Sequence, residues 1–171
     1  MRIEDVSVGM PEYLKKGLVE VLGPEAVADF SQMMEAFPAD PIVRGMMIRA
    51  GRAGFHYWLA QEGETLEKAD AGFHLSPIKK KINTGLQHFC ATLSSNKRYA
   101  LEFKDHDKKW ELAMTAAERS GVFSLECSFL SGFVQEFASW AGMGKLYLVR
   151  ENGYKNNPSH CSILIEKDPV E

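Results

Sequence analysis

The sequence predicts an α+β domain in which N-terminal helices pack on a four-stranded antiparallel sheet. Three observations predict it. Proline-containing start signals open helical segments in the first half of the chain, the apolar period falls to two from Lys97 onward, and one aromatic-rich helix separates two hairpin-like runs in the second half. No internal repeat, low-complexity tract or Pro/Ser linker divides the 171 residues, so they are expected to form one domain, mainly helical over 1–96 and sheet with helix over 97–168.

Gly23-Pro24-Glu25, Asp40-Pro41 and Ser76-Pro77 each put proline where a first helical turn tolerates its missing N–H, with Asp40 and Ser76 as candidate N-caps. Helices are therefore expected over about 12–36, broken at Gly23-Pro24, over 41–62 and over 77–94. The second carries Ile42, Met46, Met47, Ala50, Gly54, Tyr57 and Trp58 at helical spacing, and the third Ile78, Ile82, Leu86, Phe89 and Leu93. Between them, 63–75 reads as a long loop. Tyr99, Leu101 and Phe103 then alternate with polar residues, as do Trp110, Leu112 and Met114 beyond the polar turn 105–108. A helix over 125–141, closed by Gly142 and Gly144, follows. The second hairpin is expected from strands 145–150 and 159–166 around the loop 151–158.

Charge and composition exclude several classes of function. With 20 Lys and Arg against 23 Asp and Glu, the net charge is −3, so no basic stripe is available to neutralise a phosphate backbone, and nucleic acid is not an expected partner. No apolar run approaches the roughly 20 residues of a membrane span, and the first ten residues do not have the pattern of a signal peptide. The expected setting is cytoplasmic. Three cysteines, Cys90, Cys127 and Cys161, form no CxxC and no disulfide framework, so reduced thiols are expected.

The richest chemistry lies in the last third. Cys127 opens the aromatic helix with Phe129, Leu130, Gly132, Phe133, Phe137 and Trp140, and His160-Cys161 stands in the final strand-like run. Zinc accepts thiolate, imidazole and carboxylate, but His160 and Cys161, being adjacent, face opposite sides of a regular strand. Free cysteines are also often small buried hydrophobes, which is the favoured reading for Cys127 and Cys161. Gly132 in mid-helix signals close approach of a strand or a ligand. His56 shares a helix face with Arg49 and Arg52, a pattern that suits a carboxylate partner or a plain solvated face. His74, His88 and His106 have no partner at ligand spacing.

From about Lys97 to Glu166 the chain resembles the 4-vinyl reductase, or hydrocarbon-binding, family. The residues that carry the resemblance are Cys127 with Phe129-Leu130-Ser131-Gly132-Phe133, then Leu146-Tyr147-Leu148-Val149-Arg150-Glu151 and Cys161-Ser162-Ile163-Leu164-Ile165, with Arg49-Ala50-Gly51-Arg52-Ala53 as a weaker upstream match. The resemblance implies a fold similar to the haem nitric-oxide-binding domain and to certain vesicle-tethering subunits. It also implies binding of a small apolar molecule rather than its transformation. In aromatic-sensing relatives it implies a zinc ion on a helix cysteine, a loop glutamate and two further cysteines. Cys127, Glu151 and Cys161 match, and the resemblance implies that the Cys127 and Cys161 sulfurs lie within a few ångströms of a common point with Glu151 nearby. Gly153-Tyr154 stands where the fourth ligand is expected, so a metal set would need His160 or Tyr154, and the site is expected to be empty or degenerate. Haem would need an axial histidine and a propionate anchor, and the sequence offers no anchor motif.

An apolar-ligand pocket is accordingly expected from Trp58, Phe89, Trp110, Phe133, Phe137 and Tyr147, with core filling as the alternative use of the same rings. Two other readings stand beside it. Met33, Met34, Met46 and Met47 on the N-terminal helices suggest a homodimer interface without ligand, and the family resemblance suggests an accessory protein acting on a tetrapyrrole. No nucleophile, base and orienting group fall into a catalytic pattern.

Overall fold

The computed structural model describes residues 10–69, 72–94, 99–117, 121–152 and 159–171. Among them five α-helices and four strands follow in the order α1 (Met10–Leu22), α2 (Val27–Ala36), α3 (Pro41–Ala69), α4 (Ile78–Leu93), β1 (Tyr99–Asp105), β2 (Lys109–Ala116), α5 (Phe123–Ala141), β3 (Val149–Asn152) and β4 (His160–Glu166), with a 3-10 turn at Phe73–Leu75. The sheet is antiparallel throughout, in the order β1-β2-β4-β3. The expected α+β architecture is what the chain adopts.

Asp40 caps α3 as its position predicts, its Oδ1 accepting from the N–H of Ile42 at 2.7 Å and of Val43 at 3.3 Å. Gly23, at φ 83, makes the break between α1 and α2. Ser76 does not cap α4. Its Oγ donates to the Gly72 carbonyl at 2.9 Å and Pro77 takes the cap position.

The largest departure from expectation is α3. Its 29 residues continue into the segment read as a loop, as far as Ala69, because 61–69 are mostly strong helix formers and Leu66 on that extension is buried. A single glycine, Gly63, does not outweigh them. Ile42, at the start of α3, is exposed, and Tyr57, in its middle, is partly so, so the buried face is narrower than the apolar pattern suggested. Strand β3 is also later than expected. Residues 145–148 instead run beside the C-terminal segment, with Glu166 N–H donating to the Leu148 carbonyl at 3.1 Å and Val170 N–H to that of Leu146 at 2.8 Å.

Helix α5 sits at the centre of the molecule. One side meets the apolar face of the sheet, formed by Trp110, Leu112, Met114, Cys161, Ile163 and Ile165, and the other is crossed by α3. The crossing is backbone on backbone. A Cβ on Gly51 would overlap the Phe129 carbonyl, and one on Gly132 would overlap that of Ile48. The close partner of Gly132 is thus a helix rather than a strand or a ligand. The same strip of α3 meets α1, where a Cβ on Gly17 would strike the Ala50 carbonyl.

Met34 and Met47 are fully used in the core, leaving Met33, Phe37 and Ile42 as the exposed apolar residues at the α2–α3 corner. The methionine surface expected to seek a second copy is largely consumed within the chain.

Candidate functional site

Three helices build the aromatic interior. Trp58 and Phe55 come from α3, Phe89 from α4, and Phe133 and Phe137 from α5, all fully buried. Trp58 meets Phe89 edge to face at a centroid distance of 4.5 Å, and Phe89 meets Phe133 at 5.1 Å and Phe137 at 4.6 Å. Phe55 closes the set against Phe133 at 5.7 Å and Trp140 at 6.0 Å. Such geometry lets ring edges meet ring faces, which favours these pairs beyond their buried area.

Four of the six expected pocket residues therefore come together: Trp58, Phe89, Phe133 and Phe137. The other two lie elsewhere. Trp110 is on the sheet with the Lys167 ammonium 5.5 Å from its ring centre, and Tyr147 packs on Gly142 at the far end of α5. Burial raises the Tyr147 phenol above its ordinary value, with Lys79 opposing and Asp168 adding to the shift. Within this cluster sequence reading passed over Phe55 and also Phe73, which stacks on Trp140 at 6.0 Å. Phe55 lies three residues before Trp58 on one helix face, a detectable signal, whereas Phe73 fell in the stretch read as loop.

A polar edge borders the cluster at Trp58. Trp58 Nε1 donates to Thr92 Oγ1 at 3.1 Å, and that hydroxyl donates to the His88 carbonyl at 3.1 Å. His88 lies edge-on to the Trp58 indole, centroids 5.8 Å apart, and its Nε2 is 3.5 Å from Glu62 Oε2. Although within ion-pair range, that buried nitrogen makes no hydrogen bond. Near Glu62, the Tyr13 phenol is pushed up to about 12, chiefly by burial and then by the Glu62 charge.

The zinc set is not assembled. Cys127 and Cys161 are joined to each other in a disulfide, Cα atoms 6.5 Å apart, which corrects the expectation of reduced thiols. Glu151 points inward, its side chain 5% exposed, and pairs with Arg44 Nη2 at 3.2 Å while accepting from Ser128 Oγ at 3.5 Å. His160 is directed away from Cys161, its Nδ1 lying 3.2 Å from Thr115 Oγ1, as the period of two along β4 requires. Gly153 and Tyr154 lie outside the described residues. Among the described residues no group of three or more His, Cys, Asp or Glu is placed to hold a metal ion.

The remaining histidines pair with glutamates: His56 with Glu136 at 2.9 Å, His74 with Glu67 at 2.6 Å and His106 with Glu111 at 2.8 Å. Beside His56, Arg52 donates to Gln135 Oε1, so this face of α3 is bridged to α5. Glu111 also accepts from Ser162 Oγ at 2.7 Å. The Ser162 bond first, and then the His106 bond and nearby positive charge, hold its carboxyl below the ordinary value of 4.5, against burial. A depressed folded-state value means that Glu111 contributes stability above pH 4.5 and loses it as the pH falls through the folded value. Glu111→Gln is therefore expected to be less stable than the parent at pH 6 and to lose less stability between pH 5 and pH 3, measured by urea unfolding. Equal acid limbs in the two proteins would refute this account of Glu111.

No protein-family model matches the chain, and no curated protein sequence matches it. Solved structures do share its fold, which is that of H-NOX domains. An H-NOX domain of Shewanella oneidensis in the Fe(II)CO state aligns with a TM-score of 0.55 at 10% identity, spanning 94% of this chain and 98% of that one. A mutant H-NOX protein of the same organism in the Fe(II) state aligns at 0.58 and 8%, spanning 95% and 96%. A third H-NOX structure, from work on heme distortion, aligns at 0.50 and 13%, spanning 95% of each chain. At such identities the likeness concerns the fold alone.

The residues present do not fit a haem. The space between α3, α4 and α5 is filled by rings in mutual contact. His56, His74 and His106 are well exposed and bound to carboxylates, while His160 is on the sheet face opposite Cys161. His88, with its side chain 16% exposed, is the most buried of those paired with glutamate. Its Nε2 faces a carboxylate and its ring lies against Trp58, leaving no open axial position.

Proposed function

We propose that this chain is a sensor-type domain that binds a small apolar or aromatic molecule without transforming it. The observation that carries the reading is the ring cluster contributed by three separate helices and bordered by a polar edge of Thr92, His88 and Glu62. Apolar pockets that select small ligands have this make-up, rings for affinity and one or two polar groups for orientation. Rings held by helices rather than by one continuous element can part when a helix shifts, admitting a ligand of about one ring. The resemblance of the C-terminal half to the 4-vinyl reductase family supports the same reading. Action on a tetrapyrrole is disfavoured for the reason that haem is: a macrocycle needs space that the rings occupy.

A cytoplasmic setting belongs to this proposal. Disulfides are rare in reducing compartments, and the full burial of both Cys127 and Cys161 is the shielding that such a setting would demand. A homodimer, where formed, would use the exposed corner of Met33, Phe37 and Ile42.

The test is native mass spectrometry of freshly purified protein, followed by titration with p-xylene and indole under tryptophan fluorescence. A co-purified small molecule, or a saturable response abolished in Phe133→Trp, where the site is overfilled, is the expected result. The absence of both a bound mass and a saturable response would overturn the proposal.

A further inference from the structure

The disulfide lies at the junction of two bodies that are each anchored independently. Cys161 is the second residue of β4, an inner strand bonded to β2 on one side and β3 on the other. Cys127 is in the opening turns of α5, whose middle is fixed to α3 by the backbone contacts at Gly51 and Gly132. Neither body needs the sulfur bridge to keep its own place. What the bridge fixes covalently is the start of α5 against the sheet, where Phe123, Leu125 and Cys127 are otherwise held by apolar packing. Across the same junction Ser128 Oγ donates to Glu151 Oε2 at 3.5 Å, and Glu151 is itself held by Arg44.

We propose that the Cys127–Cys161 pair is a redox-sensitive latch on the start of α5. In the oxidised form the latch holds the first turns of α5 on β4. A dithiol reductant opens it by ordinary exchange: one reductant thiolate attacks a protein sulfur and breaks the S–S bond, and the second reductant thiol resolves the mixed disulfide. Two protons end on Cys127 and Cys161, and the two electrons come from the reductant, which leaves as its own disulfide. Both products are neutral thiols, small enough for the apolar interior they already occupy. The reduced chain therefore stays folded, with the α5 start released from the hairpin. Phe129 is two residues along α5 from Cys127 and 6.2 Å from Phe133, so the latch bears on the ring cluster through Phe129.

Both sulfurs are inaccessible in the closed form, so reduction proceeds through local opening and is slow under native conditions. Cys90 supplies an internal reference, as the remaining free cysteine.

The experiment compares the full chain oxidised with diamide and reduced with dithiothreitol. Alkylation after denaturation should count one thiol in the first and three in the second. Hydrogen exchange followed by mass spectrometry should then show peptides covering 123–130 and 159–166 exchanging at least tenfold faster in the reduced chain, with α3 unchanged and a cooperative melt about 10 °C lower. The double variant Cys127→Ala with Cys161→Ala should match the reduced chain and ignore dithiothreitol. Three thiols after diamide, equal exchange in the two forms, exchange that rises throughout the chain, or a double variant that still responds to dithiothreitol would each overturn the proposal. If the double variant does not fold, the reduced wild-type chain decides the matter by the same exchange readout.

Discussion

Gly132→Ala should be among the most damaging single substitutions in this protein, lowering its stability by about 3 kcal/mol, the upper end of what overpacking a core costs. The added methyl would overlap the carbonyl of Ile48 on α3, a backbone atom that cannot rotate away as a side chain end would. Relief requires moving α3 from α5, which also disturbs the neighbouring contact of Gly51 with Phe129 and loosens the ring cluster between the helices. Gly45→Ala is the matched control: a Cβ there meets nothing within 4 Å, and alanine in a helix is preferred over glycine by up to about 1 kcal/mol. Urea unfolding should therefore move the two variants in opposite directions. A Gly132→Ala protein within 1 kcal/mol of the parent would refute the close crossing.

Trp58→Ala is expected to cost about 3–5 kcal/mol, because it removes the largest ring of the interior and leaves a cavity bounded by Phe55, Phe89 and Phe133. The same loss leaves Thr92 without the indole that donates to it. Trp58→Phe retains most of the packing and forfeits that hydrogen bond, so its cost should be nearer 1–2 kcal/mol. Benzene or indole should restore part of the stability of Trp58→Ala by filling the apolar space, since ligands that bind only the folded state raise its stability by mass action. A midpoint unchanged by saturating benzene would show that the helices collapse into the space instead. That outcome would also weaken the proposal that these helices part around a ligand.

How much of this was legible in the sequence depends on the range of the interaction concerned. The capped start of α3 at Asp40, the break at Gly23, the alternation along β1 and β2, and the single large aromatic helix were all readable, because caps, turns and periodicity act within a few residues. His160 and Cys161 were correctly expected to face apart for the same reason. The extension of α3 to Ala69 was missed because Gly63 and the polar run around it look like a loop until Leu66 finds its buried place.

The sequence by itself determined the class of fold, the helix and strand periods, and the burial of the six rings it singled out, though not that of Phe55 and Phe73. Tertiary structure alone decided which of those rings share a cluster: Trp58, Phe89, Phe133 and Phe137 meet, while Trp110 and Tyr147 are claimed by Lys167 and Gly142. It also decided that Gly132 faces a helix, and that Cys127 and Cys161, 34 residues apart, bond to each other rather than share a metal with Glu151, whose carboxylate is taken by Arg44. The physical reason is common to all three. Burial is a property of one residue and its local pattern, whereas partnership depends on where distant segments cross, and that is set by the close packing of α3, α5 and the sheet as a whole.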